Sequence, residues 1–320
     1  MKVLILEPSN FSPISTRLLE EKSYELVFGL DAMPLDLYKR VVILYARLSY
    51  ILDKAFLTQF SSLEYIVSPA TGTSHIDLEY LNDNNITLIS LKGQTAFLKK
   101  ITPTIEITVW LILSLLRKAH VSIYSTVHDL SPNGWTRDNY IGIDLYGATA
   151  GIIGLGRIGS HVATVLSSLG SNVIYYDPFV SNNTYQSVDL NTLLESSDVI
   201  SINCIHNELT DNLLASNELS RLKPNSILVN TARGGIVNED ALYDHLLGNP
   251  GFKCGLDVLR YEHTKSNSAL TSRRKLQNLA LELPHQLILT PHIGGASYSA
   301  MRKTEDYCTQ LLMHHLNNAP

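Results

Sequence analysis

Three residues in the second half of the chain have the types needed for proton transfer beside a carboxylate-bearing substrate. Arg233 stands in Val229-Asn230-Thr231-Ala232-Arg233-Gly234-Gly235. Glu262 closes Gly255-Leu256-Asp257-Val258-Leu259-Arg260-Tyr261-Glu262, and His292 lies in Leu289-Thr290-Pro291-His292-Ile293-Gly294-Gly295. Each follows a short apolar run that reads as a strand. Ligands of an open parallel sheet bind outside the carboxyl ends of its strands, so all three are placed where chemistry can occur. A histidine gives or takes a proton near neutral pH. A glutamate beside it stabilises the imidazolium and fixes the ring's tautomer. An arginine pairs with a carboxylate and polarises a carbonyl. Such a set suits hydride transfer to a 2-oxo acid, which leaves an alkoxide to be protonated. Singly, each has an ordinary alternative: a surface arginine before Gly-Gly, a solvated loop carboxylate, a hydrogen-bonded loop histidine.

Upstream, Gly154-Leu155-Gly156-Arg157-Ile158-Gly159 matches GxGxxG. The strand-like Thr149-Ala150-Gly151-Ile152-Ile153 precedes it, and a helix-like run from Ser160 to Leu169 follows. The next strand ends at Asp177, eighteen residues after Gly159. These are the contexts that turn a weak pattern into a dinucleotide site. Gly154 permits the turn, Gly156 lets a pyrophosphate approach, and Gly159 lets helix and strand pack closely. The helix N-terminus offers N–H groups to the diphosphate. Asp177 would accept from the ribose hydroxyls and repel a 2′-phosphate, so the expected cofactor is NAD rather than NADP. The competing reading is a glycine-rich turn without a ligand.

The elements that must position these residues alternate along the chain. Strand-like runs occur at Lys2 to Glu7, Glu25 to Phe28, Val41 to Tyr45, Tyr65 to Ser68 and Ile86 to Ser90. Helical patterns such as Ser15 to Glu21 and Asp53 to Phe60 lie between them. An apolar-periodic helix is predicted from about Thr104 to Lys118, then a polar loop with its turn signal at Ser131-Pro132-Asn133-Gly134. A second series places strands at Ala148 to Ile153, Asn172 to Tyr176, Val199 to Cys204, Ser226 to Asn230, Lys253 to Val258 and Leu287 to Thr290. A last amphipathic helix covers Ser297 to Asn317. Strands alternating with helices predict βαβ units and parallel sheets.

The 320 residues predict about two domains at roughly 150 residues each. With 45% hydrophobic and 17% charged residues the chain is an ordinary globular one, not a disordered one. It can build its core without a metal or disulfide staple. The net charge of -5 leaves no basic excess for phosphates, so nucleic acid is not an expected partner. Cys204, Cys254 and Cys308 are scattered, with no CxxC pair, which reads as reduced thiols in a cytoplasmic protein. The apolar stretch Val109 to Leu116 falls far short of the roughly 20 residues that span a bilayer. No signal peptide is expected, because the first apolar run reaches Glu7 at once.

With these motifs the sequence resembles the D-isomer-specific 2-hydroxyacid dehydrogenases, a family that includes phosphoglycerate dehydrogenase and hydroxypyruvate reductase. The likeness covers nearly the whole chain. It runs through Gly72 with Ile76-Asp77, Thr104 to Thr108, Trp135, the glycine loop, Asp189 to Asp198 and the three segments above. It implies an α/β protein of two Rossmann-like or flavodoxin-like domains with parallel sheets and a cleft between them. The substrate domain would be discontinuous, residues 1–98 plus 294–320, around an NAD domain of residues 99–293. It assigns Arg233, Glu262 and His292 as catalytic, with Arg233 also binding substrate. Arg157 and Ile158 would meet the pyrophosphate through main-chain amides. Asp257 would lie beside the nicotinamide, and Thr108 and Ala232 would join the cofactor contacts. Main-chain N–H groups of Thr71 and Gly72 would hold the substrate carboxylate. Family members are commonly dimers through the cofactor domain, so a homodimer is expected, with the Trp110 helix and Trp135 loop at its interface or, alternatively, in the monomer's core.

Departures from the family pattern are His263 after Glu262, Ala148 before the cofactor strand, and Asn203-Cys204-Ile205 near the adenine side. None removes a catalytic group. Glu262 argues against the formate dehydrogenase branch, which carries Gln there, while phosphite oxidation stays open. Substrate selection is expected from the first domain, through Tyr45, Arg47, Tyr50, Lys92, Gln94, Lys99 and Lys100. Arg47 and the lysines could bind a second anionic group; Lys99 and Lys100 could equally be a solvated pair. The chain ends soon after its last helix, so an appended regulatory domain is not expected. Two other readings remain: an NAD(H)-sensing interaction protein of the same fold, and a relative acting on an unusual sugar acid, phosphonate or phosphite.

Overall fold

Four strands, Lys2–Ile5, Val41–Tyr45, Val199–Ile202 and Ile227–Asn230, are buried along their whole length, which is why their sequences are mostly apolar instead of alternating. The computed structural model describes residues 1–31, 33–73, 75–129, 135–262 and 266–318. The turn signal at Ser131–Gly134 and the departure at His263 lie outside the described residues. The strands are β1 (Lys2–Ile5), β2 (Glu25–Phe28), β3 (Val41–Tyr45), β4 (Tyr65–Ser68), β5 (Thr87–Ser90), β6 (Thr149–Ile153), β7 (Asn172–Tyr176), β8 (Gln186–Ser187), β9 (Val199–Ile202), β10 (Ile227–Asn230), β11 (Lys253–Leu256) and β12 (Leu287–Leu289). The longer helices are α1 (Pro13–Glu21), α2 (Pro103–Arg117), α3 (Ala119–His128), α4 (Arg157–Ser168), α5 (Glu239–Gly248), α6 (Asn267–Glu282) and α7 (Tyr298–Asn318).

The chain divides into two compact units. The first joins Met1–Ile101 to Ala296–Pro320. Its five parallel strands run in the order β2-β1-β3-β4-β5, a flavodoxin-like arrangement. Helix α7 belongs to this unit because Cys308 and Leu312, both fully buried, complete the core around Val3, Ile43 and Val67.

The second unit is Thr102–Gly295. Its seven parallel strands run β12-β11-β10-β9-β6-β7-β8. Successive strands depart from β6 in both directions, so the loops after β6 and β9 flank a topological switch point, the usual seat of a ligand in such sheets. Helix α2 starts with Pro103 at its first turn, where the missing N–H costs nothing, and buries Leu111, Ile112, Leu115 and Leu116 against the sheet. It ends at Lys118, whose backbone is left-handed with φ 51°.

Helix α3 replaces the polar loop expected after Lys118. Its apolar residues Ile123, Tyr124 and Val127 are exposed, as are Trp110 and Trp135, so neither tryptophan is a core residue. Among the described residues, no single helix is long and apolar enough to cross a membrane.

Candidate active site

Arg233, Glu262 and His292 all lie in the second unit, just past the carboxyl ends of β10, β11 and β12, which are consecutive in the sheet. The His292 Nδ1 sits 2.7 Å from Glu262 Oε1. The other Glu262 oxygen accepts the Leu259 N–H at 3.2 Å, which turns the carboxylate back toward its own strand end. Both side chains are about four-fifths buried, with 20% and 18% exposed. A partly desolvated pair of this kind holds its geometry better than a surface one.

Arg233 uses one guanidinium nitrogen, Nη1, to donate to the Ala232 carbonyl at 2.6 Å. No other side-chain donor of Arg233 is engaged among the described residues. Burial pulls its guanidinium below its usual pKa, and the charge of Glu262 opposes that shift. Asn230 shapes the segment: its amide donates to the Arg233 carbonyl and accepts from the Ala232 N–H. The glycine after Arg233 is a packing requirement, because a Cβ on Gly234 would run into the Leu259–Arg260 peptide. The segments bearing Arg233 and Glu262 therefore touch backbone to backbone.

His292 has φ 53°, a left-handed conformation that a residue with a Cβ adopts only when its surroundings impose it. Asp257 imposes it. The side chain of Asp257 is buried, and Oδ1 accepts from Thr290 Oγ1 at 2.6 Å and from the Ile293 N–H at 2.8 Å. Its Oδ2 accepts the Gly294 N–H at 2.7 Å. Thr108, also expected against the cofactor, is fully buried; its hydroxyl donates to the Thr104 carbonyl and accepts from the Thr231 hydroxyl just past β10. Both side chains spend these bonds on scaffolding the loops.

The loop after β6 matches the needs of a dinucleotide. Gly154 has φ 88°, and a Cβ there would meet the Cys204 N at 2.6 Å. A Cβ on Gly159 would strike the Gly154 carbonyl, whereas Gly156 faces open space. The N-terminus of α4, with Arg157 and Ile158 in its first turn, carries no side-chain cap. Asp177 accepts the Leu155 N–H at 2.8 Å and the Phe179 N–H at 2.9 Å, so it also braces the glycine turn. Each carboxylate oxygen keeps a lone pair for a further donor.

The sequence model for the NAD-binding domain of D-isomer specific 2-hydroxyacid dehydrogenases matches residues 109–294, more than half of the chain. The chain belongs to the D-isomer specific 2-hydroxyacid dehydrogenase family. It is 30% identical over 309 residues to the D-3-phosphoglycerate dehydrogenase of Archaeoglobus fulgidus, covering 94% of this chain and 54% of that protein. The chain therefore spans about half the length of that relative. It is 31% identical over 245 residues to the hydroxypyruvate reductase of Thermotoga maritima, covering 76% of this chain and 74% of that one. The crystal structure of the TT0316 protein from Thermus thermophilus matches with a TM-score of 0.82 at 27% identity, over 99% of this chain and 97% of that one.

This 2-hydroxyacid dehydrogenase family member corrects two sequence expectations in its first unit. Tyr45 is 3% exposed and belongs to the core, with its hydroxyl 2.9 Å from Thr309 Oγ1 and its ring edge-on to Phe11. Burial drives its phenol pKa upward. It presents no surface to a substrate. Arg47 is committed as well: Nε donates to Glu305 Oε1 at 2.8 Å, Nη2 binds the same oxygen, and Nη1 donates to the Ser9 carbonyl at 3.0 Å. Glu305 is 1% exposed, so its charge and that of Arg47 answer each other, and the arginine is not a spare cation for a second anionic group. Gln94 accepts from the Tyr307 hydroxyl, while Lys92, Lys99 and Lys100 are solvent-exposed. Thr71 and Gly72 stand in the segment after β4, and neither N–H donates among the described residues. No group of three or more His, Cys, Asp or Glu side chains among the described residues could hold a metal ion.

Sequence reasoning missed Glu305, the scaffolding bonds of Asp257, and the bonds of Arg260 to the loops after β9 and β10. Their partners are distant in sequence or on other loops, and no local spacing announces them.

Proposed function

We propose that this chain interconverts a 2-oxo acid and the corresponding D-2-hydroxy acid, with NAD as its cofactor. The observation that carries the reading is an imidazole held by a carboxylate next to an arginine with donors to spare, at three neighbouring strand ends. NAD, when bound, supplies or accepts the hydride. The residues that would hold it are Gly154, Gly156, Gly159, the amides of Arg157 and Ile158, and Asp177. The carboxylate of Asp177 would accept from the ribose hydroxyls and disfavour a 2′-phosphate.

With Glu262 on the Nδ1 side of His292, this reading assigns proton transfer to Nε2. In the reducing direction the imidazolium gives its Nε2 proton to the alkoxide oxygen as that oxygen gains charge. In the oxidising direction the neutral ring takes the proton back. Glu262 stabilises the charged ring in both. Arg233 would pair with the substrate carboxylate and draw electron density from the carbonyl oxygen. The N–H groups of Thr71 and Gly72 are further donors for a carboxylate. On this reading residues 102–295 form the cofactor domain and the discontinuous unit is the substrate domain. The exposed apolar residues of α3 and Trp110 suit a contact with a second copy; sedimentation equilibrium should then give a dimer, and a monomer would refute that contact.

The test is NADH consumption against glyoxylate, pyruvate, hydroxypyruvate, phosphonopyruvate, 2-oxoglutarate and phosphohydroxypyruvate, with NADPH in parallel. At least one acid should be turned over with NADH preferred. His292→Ala should lose about 10²- to 10⁴-fold in turnover while NADH still binds. Near wild-type turnover in that variant would overturn the assignment of His292.

A further inference from the structure

We propose that Arg260 is a positioning residue, a clamp that fixes the segments bearing Arg233 and Glu262 in register with His292. The inference rests on the function proposed for those three residues. The side chain of Arg260 is 22% exposed and lies across loops that follow three adjacent strands. Its Nη2 donates to Asp211 Oδ1 at 2.8 Å and to Asn212 Oδ1 at 2.9 Å, both in the loop after β9. The same nitrogen also reaches the Gly235 carbonyl at 2.7 Å, in the loop after β10, so its two N–H groups are shared among three acceptors. Arg260 itself belongs to the loop after β11.

The spacing gives these bonds their consequence. Gly235 is two residues past Arg233, and Arg260 is two residues before Glu262. The guanidinium–carbonyl bond is thus a rung between the two segments that carry the acidic and basic partners of the site. The Leu259–Arg260 peptide resting on Gly234 is a second rung. A third holds the main chain, because the Arg260 N–H donates to Glu239 Oε1 at 2.6 Å at the start of α5. The far side is braced too: His206 Nε2 lies 2.8 Å from Asp211 Oδ1, and the His206 ring lies against Gly235. Among the described residues, Asp211, His206 and Glu239 are the charged and titratable groups bonded in the clamp, while Glu262 bonds to His292 and Arg233 feels the charge of Glu262. Without the guanidinium, Asn212 Oδ1 would keep only the Asn238 amide and the Gly235 carbonyl only the Asn212 N–H as donors, and the side-chain tie between the Arg233 and Glu262 segments would be lost.

The experiment compares Arg260→Gln, Glu262→Gln, the double variant and Asp211→Asn in the full chain. Two quantities are read: kcat and KM for the best 2-oxo acid, and the titration midpoint of the His292 imidazole by NMR of 13C-histidine-labelled protein. The His292 resonance is identified by its loss in His292→Gln. Arg260→Gln should lower kcat/KM about 10- to 100-fold, mainly through kcat, with NADH binding kept. The His292 midpoint should fall by about one pH unit, the direction that loss of Glu262 gives. On the Glu262→Gln background the same substitution should move it no further. Asp211→Asn removes only one exposed acceptor, so it should fold and give a smaller fall; it decides the matter if Arg260→Gln does not fold. A wild-type midpoint in Asp211→Asn and in any folded Arg260→Gln would overturn the clamp, as would an equal shift with Glu262 already removed. A shifted midpoint in an enzyme that turns over no 2-oxo acid would overturn the proposed reaction and leave the clamp standing.

Discussion

The carbonyl oxygen of Asp257 accepts the N–H of His292 at 2.9 Å, while the carboxylate of the same aspartate accepts the next two N–H groups along the chain, those of Ile293 and Gly294. One buried residue therefore dictates the path of the segment that presents His292, the proposed acid–base group. The left-handed backbone of His292 is unfavourable for a side chain with a Cβ and persists because these bonds over-determine it. A general acid gains from being held this way, since its ring cannot drift from the position where proton transfer is efficient.

Asp257→Asn tests that relation. The amide keeps one acceptor oxygen but turns an NH2 group toward at least one donor that the carboxylate now satisfies. The substitution should cost about 1–3 kcal/mol of stability for the group left unsatisfied. It should lower kcat/KM about 10- to 100-fold as the His292 segment relaxes. Urea unfolding and steady-state kinetics on the same preparation check both; an unchanged kcat/KM beside a lowered stability would show that Asp257 does not position the histidine.

Tyr45→Phe separates a core tyrosine from a substrate ligand. The hydroxyl meets Thr309 on α7, whose own proton goes to Ser15 Oγ or to the Glu305 carbonyl. Removing it should lower stability by about 1 kcal/mol, the usual net worth of one such bond. KM and kcat should stay at wild-type values. A raised KM with unaltered stability would return the hydroxyl to the substrate.

The placement of Arg233, Glu262 and His292 at neighbouring strand ends, and of the glycine loop after β6, is legible in the sequence because the signals are local: each sits where a parallel strand ends, and such ends gather ligands. Tyr45 misleads because it is the last residue of a strand, where one position of register decides between core and surface. Its neighbour Arg47 misleads because the carboxylate that neutralises it is Glu305, 258 residues away, on a helix that returns to the first unit only after the whole second unit has been threaded. Helix α3 is hidden by its β-branched residues, and by an apolar face that is exposed and so marks no core. The two residues of β8 are too few to show a period. Asp257 is evident at a strand end, but its bonds to Ile293 and Gly294 depend on β11 lying beside β12, and pairing of that kind is a property of topology.

The clamp around Arg260 also makes a statement about acid. Hydrogen bonds from His206 and Arg260 hold the Asp211 carboxyl below its usual pKa. A carboxyl that is more acidic folded than unfolded binds fewer protons in the folded state, so stability rises with pH across the interval between its two pKa values. Its contribution is complete above the ordinary aspartate value of about 4 and is lost as pH falls through the lower, folded value. Asp211→Asn removes the titrating group, so the gap in urea midpoint between wild type and variant should close as the pH is taken from about 6 to about 2.5. The gap should stay flat above about pH 5, where the carboxylate is ionised in both states. A gap of constant size down to the acid end would mean that the Asp211 carboxyl is not held in its ionised form by its two partners, and that the acceptor side of the clamp is weaker than its distances suggest.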